Sequence, residues 1–384
     1  MSCSSKRIGR LRGALVDKGI RSMLVRDTSN IHWLTAFDGV FDEEDAHALL
    51  VTPRDAVLHT DSRYSAALRA AVESTGAPIE VSDERVSHAA FFAGVLAARH
   101  VGPEARAAGL PEPQDVSMAI EDGITLGEYR KLVEEYEKAA ALPDIRETHG
   151  LIQGLRAVKD ADEVARMRDA QTITDAAFSH IVSFMKPGMT EREVQIELDD
   201  FMRRHGADGL AFPTIMASGA NGASPHAVPG DAVLEAGQCV VMDFGARARG
   251  YCSDMTRTVF LGEPSPRMRD AYEAIRQANE RVEALLRPGI TGRQAHELAE
   301  QVLADHGFAG KMGHALGHGV GIDIHEEPVL APRNEEALVE GNVVTVEPGV
   351  YCAGEFGMRL EDFGVVTASG FDVFTKSTHE MVIL

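Results

Sequence analysis

Lys186-Pro187-Gly188-Met189-Thr190, KPGMT, returns 101 residues later as Arg287-Pro288-Gly289-Ile290-Thr291, RPGIT. The same offset carries Arg192 onto Arg293 and His205-Gly206 onto His306-Gly307. It also carries the apolar stripe Ala170, Ala177, Ile181 and Phe184 onto Ala271, Ala278, Val282 and Leu285. Each copy reads as a long amphipathic helix, a Pro-Gly break, a second helix with Thr as its N-cap, and a stop at His-Gly. A strand-rich segment follows each copy. The spacing therefore predicts an internal duplication whose halves face each other, with strands inside, helices outside and a crevice along a pseudo-twofold axis.

Upstream of the repeat the character changes. To about residue 145, short β-branched runs (SMLV, HALLVT, DAVLHT) alternate with Ala-rich helical stretches such as AALRAAVES and FFAGVLAARH, an α/β pattern. The boundary falls in HGLIQGLRAVKDADEV, which predicts one domain over 1–150 and a second over 151–384. A chain of 384 residues is long enough for both to bury a core.

Bulk properties narrow the function class. A net charge of −21 argues against a nucleic-acid partner, whose phosphates need Lys and Arg. Cys3, Cys239, Cys252 and Cys352 make no Cys-x-x-Cys pair and no disulfide framework. The N-terminal MSCSSKRIGRLRGALVDKGI has no apolar signal core, and no stretch reaches the ~20 apolar residues of a membrane span, so the expectation is a cytoplasmic protein.

The first strand-rich segment, CVVMDFGARARGYCSDMTRTVF, has a Gly-containing polar middle and reads as a hairpin. Closed about Ala248 and Arg249, it sets Asp243 directly opposite Asp254. The second, NVVTVEPGVYCAGEFGMRLEDFGVV, sets Glu347 opposite Glu361 about Gly354. Like charges facing across a strand pair repel, so two such pairs in apolar strands call for a cation. Between the hairpins, GHALGHGVGIDIHEEP places His318 among Gly317, Gly319 and Gly321, a nitrogen donor on closely bending backbone. Four carboxylates and one imidazole suit a pair of Mn, Co, Fe or Zn ions, not thiol-seeking metals.

The same residues resemble the pita-bread metallopeptidases, which include Xaa-Pro aminopeptidase, Xaa-Pro dipeptidase (prolidase) and methionine aminopeptidase. The resemblance rests on FPTIMASGANGASPH, DFGARARGYCSDMTRT, GHALGHGVGIDIHEEP, VEPGVY and GMRLED in that order, with LRAVKDADEVARMRDA resembling the start of the catalytic domain. NIHWLTAF and HTDSRY are similar to the extra N-terminal domain of the proline-specific members. The resemblance implies an α/β (α+β) chain, with a creatinase-like α/β domain followed by a duplicated pita-bread domain. It implies that Asp243 chelates one ion, that His318 and Glu347 hold the other, and that Asp254 and Glu361 bridge the pair. It further implies that His226 and His325 act near the scissile bond, and that His314, Tyr351 and Arg359 line or order the substrate site.

The expected reaction is hydrolysis of the peptide bond preceding proline in short proline-containing peptides, by a hydroxide bridging two divalent ions, manganese foremost. Glu361 would pass the proton to the leaving nitrogen, His226 would stabilise the oxyanion and His325 would orient the substrate. A homodimer is implied by the resemblance alone. Two rivals remain on the same fold. One is a creatinase-like hydrolase or lyase acting on a small molecule, which an assay would separate. The other is a metal-free peptide- or protein-binding module, against which the five ligands and the acidity argue.

Overall fold

A computed structural model describes residues 2–42, 44–100 and 117–384, and the chain divides into two compact units, Met1–Leu155 and Arg156–Leu384. In the first unit a six-stranded mixed sheet runs in the order Glu80–Ser82, Ala56–His59, Ala48–Val51, Ser22–Val25, Ser117–Glu121, Asp144–Thr148. Its central strands are buried along their whole length, so they read as unbroken apolar runs such as ALLV rather than as alternation. Phe92, Leu132 and Tyr136, from the helices His88–His100 and Leu126–Lys138, pack on Leu24, Leu50, Met118 and Ile120.

The second unit carries the duplication. Helices Ala161–Phe184 and Glu191–Arg204 form one pair, and Pro266–Leu285 and Gly292–Asp305 the other. Thr190 and Thr291 both cap in the reciprocal box, with Glu193 and Gln294 as the third residues. His205 and His306 are the C-caps, and Gly206 (φ 105°) and Gly307 (φ 84°) take the conformations that end each helix. The likeness continues into the strands. The Gly188 and Gly289 amides donate to Leu234 and Leu338, and the Gly237 and Gly341 amides to Leu261 and Val366.

Each helix pair covers one sheet. In the first half Ala177, Ile181, Val194, Leu198 and Met202 pack on Val240, Met242 and Phe244 of the strand Cys239–Phe244, and on Met255 and Val259 of Met255–Phe260. In the second, Ala271, Ile275, Val282, Ala299 and Leu303 pack on Val344 and Val346 of Val343–Val346 and on Met358 and Leu360. Because side chains alternate along a strand, Asp243, Asp254, Glu347, Arg359 and Glu361 all fall on the face turned away from their own helices. The halves meet there, since the Glu361 amide donates to Thr256 O at 3.0 Å and Thr258 Oγ1 to Arg359 O at 2.9 Å.

One expected register is corrected. Asp243 pairs with Thr256, not with Asp254. The tip of the hairpin is Arg249-Gly250, both left-handed (φ 51° and 79°), one residue later than the sequence suggested. Moving a two-residue turn by one position moves every cross-strand partner by two, which preserves the face. Asp254 is therefore a diagonal neighbour of Asp243. In the second hairpin the registers Val346↔Asp362 and Gly349↔Arg359 flank Glu347 and Glu361 and keep that pair opposite.

Candidate active site

The carboxylates meet at a cavity of about 640 Å³ in the second unit, lined by Asp243, Asp254, His318, Glu347 and Glu361 together with His226, His314, His325 and Arg359. Of the ten expected site residues, all except Tyr351 line it directly. Tyr351 stands behind, with its hydroxyl hydrogen-bonded to His314 Nε2 at 3.0 Å and receiving Arg359 Nη1 at 2.7 Å.

His318 lies on Gly317–Gly319, a strand threaded so tightly that a Cβ on Gly317 would sit 2.1 Å from Thr345 O and one on Gly319 2.3 Å from Glu327 O. Only glycine fits on either side of the histidine. His318 Nδ1 donates to Gly319 O at 3.0 Å, which leaves the Nε2 lone pair facing Glu347 Oε1 at 3.5 Å and Asp254 Oδ2 at 3.6 Å. Burial pushes this imidazole below its ordinary value, so it is neutral near pH 7. Acceptor faces acceptor at this point.

The acids are strained in the same sense. Burial, then Glu361, Asp243 and Glu347, pushes the Asp254 carboxyl well above the usual range. Burial followed by Glu347 and Asp243 does the same to Glu361, and burial raises Glu347. Arg359 offsets part of this charge through Asp243 Oδ2, and its Nε donates to Thr256 Oγ1 at 2.9 Å, which donates to Glu361 Oε2 at 2.6 Å. Among the described residues, Asp243 Oδ1 is buried without a hydrogen-bond partner.

An orphaned carboxylate oxygen, a neutral histidine aimed at carboxylates, and acids that repel one another are the donor set of a divalent-cation site. Ligand atoms of Asp254, His318 and Glu361 lie within 4.8 Å of one another. Among the described residues, Glu283, Asp362 and His379 also cluster, but there Arg257 donates to Asp362 at 2.7 Å and already neutralises it.

Residues 165–368 match the model of metallopeptidase family M24, and residues 7–158 that of the creatinase/prolidase N-terminal domain. The chain belongs to metallopeptidase family M24. It is 33% identical to the uncharacterized peptidase YqhT of Bacillus subtilis over 98% of this chain and 100% of that one. The Xaa-Pro dipeptidase structure from Bacillus anthracis superposes with a TM-score of 0.87 at 35% identity, covering 99% of this chain and 100% of the other. For the X-Pro aminopeptidase of Thermotoga maritima the values are 0.80, 30%, 95% and 98%. The creatinase-like domain and the pita-bread domain expected from sequence are those of the M24 fold, and the protein is a metallopeptidase.

Sequence reasoning missed several members of this M24 site. Thr256, which relays Arg359 onto Glu361, shares a strand face with Asp254 and could have been found by alternation. Arg192, Gln195, Phe212, Pro213 and Ile324 also line the cavity. Arg192 and Gln195 share one face of the helix Glu191–Arg204 and Phe212-Pro213 are adjacent, but no spacing links these groups to one another, to Ile324 or to the acids.

Proposed function

We propose that this M24 enzyme is a dinuclear Xaa-Pro peptidase, hydrolysing the bond that precedes proline in dipeptides or short peptides. The observation that carries the reading is the convergence of Asp243, Asp254, His318, Glu347 and Glu361 on one cavity wall, with His226 and His325 lining the same space. Asp243 would hold one ion, His318 and Glu347 the other, and Asp254 and Glu361 both. Bound there, the ions would activate water and polarise the scissile carbonyl.

The remaining work falls to side chains. Thr256 fixes Oε2 of Glu361, which orients the carboxyl to take a proton from the attacking water and deliver it to the proline nitrogen. His325 stacks edge-on to His318 with ring centroids 4.4 Å apart, and burial pushes its imidazole down, so it is neutral and retains one N–H for the substrate. His226 supplies a donor to the developing oxyanion. His314, Tyr351 and Arg359 form one hydrogen-bonded chain that ends on Asp243 and holds its orientation. The two relatives of solved structure, an Xaa-Pro dipeptidase and an X-Pro aminopeptidase, support proline as the specificity.

Two divalent ions, manganese first, a homodimer and a cytoplasmic site complete the proposal. The test is chelation of the purified protein, reloading with Mn, Co or Zn, and assay on Ala-Pro, Gly-Pro and Xaa-Pro-Yaa peptides. Turnover restored by metal with about two ions per chain is the expected result. Turnover that survives chelation, or absence of cleavage before proline with every metal, would sink the reading.

A further inference from the structure

Glu191 is fully buried at the first position of the helix Glu191–Arg204, and nothing in the chemistry above uses it. Its Oε1 accepts from the Ser218 amide at 2.7 Å and the Ser218 hydroxyl at 2.9 Å. Its Oε2 accepts from Asn221 Nδ2 at 2.9 Å and the Gly230 amide at 3.2 Å. The helix returns the grip, since the Glu191 amide donates to Ala232 O at 3.0 Å and the Arg192 amide to Gly230 O at 3.1 Å. Ser218 ends the strand Ile215–Ser218 and Gly230 closes the loop that follows. One carboxylate thus ties together both ends of the segment 219–230, the segment that carries His226.

Other contacts also hold that segment, among them Arg359 Nη1 donating to Pro225 O at 3.5 Å and the burial of Ala227. The segment contains a 3-10 turn at Gly219–Ala223 and a hydrogen bond from the Ala227 amide to Ser224 O at 3.1 Å. Gly222 presses on the strand Phe356–Arg359, where a Cβ on Gly357 would lie 1.8 Å from Gly222 O. Beyond that contact His226 is exposed, and Val228 is 81% exposed.

A buried carboxylate is costly even when hydrogen-bonded, and the duplication shows that the fold can do without it. The counterpart of Glu191 in the second half is Gly292, where a Cβ would be 2.4 Å from Val329 O, so backbone fills the space. At this helix position a carboxylate is kept only in the half whose loop presents His226.

We propose that Glu191 is a positioning residue for His226, clamping the 219–230 segment so that the imidazole stands at the reacting carbonyl. The assignment rests on the peptidase reading given above. It predicts a loss in kcat that disappears when His226 is already gone, which a merely structural role would not produce.

The experiment is a double-variant cycle on the metal-loaded protein with Ala-Pro as substrate, using Glu191→Gln, His226→Ala and the pair. An amide offers one acceptor oxygen, so Glu191→Gln must release either the two Ser218 donors or the Gly230 amide, Asn221 Nδ2 reaching Oε1 at 3.1 Å as well as Oε2. The expected result is a kcat reduced on the order of tenfold to a hundredfold, with bound metal unchanged, KM within about twofold, and no further loss when the change is added to His226→Ala. Multiplicative losses in the pair, a wild-type kcat for Glu191→Gln, or loss of metal would each overturn the assignment. If Glu191→Gln fails to fold, Asn221→Ala leaves the carboxylate in place and must show the same dependence on His226. Wild-type protein inert on all Xaa-Pro peptides would overturn the peptidase reading and the assignment with it. Active wild type with multiplicative losses overturns the assignment alone.

Discussion

The two halves of the catalytic unit present a histidine by different physical means. His226 sits on a loop closed by neutral donors around the single buried charge of Glu191. His325 immediately precedes the strand Glu326–Leu330, and its segment is anchored by an ion cluster in which Arg156 and Lys159 both reach Glu326. The helix pairs and the Thr190 and Thr291 caps of the halves match, whereas the segments that carry the two histidines are held differently. The duplicated scaffold supplies position, and each half has acquired its own way of holding a functional loop.

The most damaging test of that comparison removes what the halves share. Asp254→Ala or Glu361→Ala should abolish stoichiometric metal binding and lower turnover by about a thousandfold or more, read by elemental analysis and peptide assay. Full activity in either variant would break the picture of one centre built from both halves.

Glu326→Gln attacks the ion cluster. Burial alone would raise the Glu326 carboxyl, but Lys159 and Arg156 hold it down to about 2 from an ordinary 4.5. A depressed carboxyl stabilises the fold above its unfolded value and loses that contribution as pH falls through the folded one. The variant should therefore be about 3–5 kcal/mol less stable at pH 7, and the gap should close as pH falls from about 4.5 toward 2 in denaturant titrations. A gap independent of pH would mean the ion cluster does not anchor this segment.

His226→Ala should spare both metal and fold while lowering kcat about a hundredfold. Unchanged kcat on all proline peptides would remove His226 from the reaction. The smallest effect concerns the hairpin tips. Arg249 takes a left-handed conformation, whereas the second hairpin uses Gly354 (φ 76°). Arg249→Gly should move stability by less than about 1 kcal/mol, because relief of strain is offset by a freer unfolded chain, with kinetics unchanged.

Much of this could be read from the chain. The duplicated Pro-Gly-x-Thr breaks located both helix pairs, because capping and helix termination are local and depend on residues three or four apart. Strand alternation placed Asp243, Asp254, Glu347 and Glu361 on the cavity face, and even the misplaced turn left that face intact, since the error was two residues along a period of two. Less was legible where contacts cross from one half to the other. The route from Arg359 through Thr256 to Glu361 joins residues 103 and 105 positions apart, and neither partner announces the other.

By itself, then, the sequence determined the repeat, the helices with their caps, the strand faces and the acid and histidine donors that mark the family. Tertiary structure alone decided the register of the first hairpin, the lone pair of His318 turned toward Glu347 and Asp254, and the burial of Glu191 beneath the His226 loop. The physical reason is range. Propensity, capping and alternation act over a few residues, whereas burial, tautomer and carboxylate repulsion depend on which distant segments the fold brings within hydrogen-bonding distance.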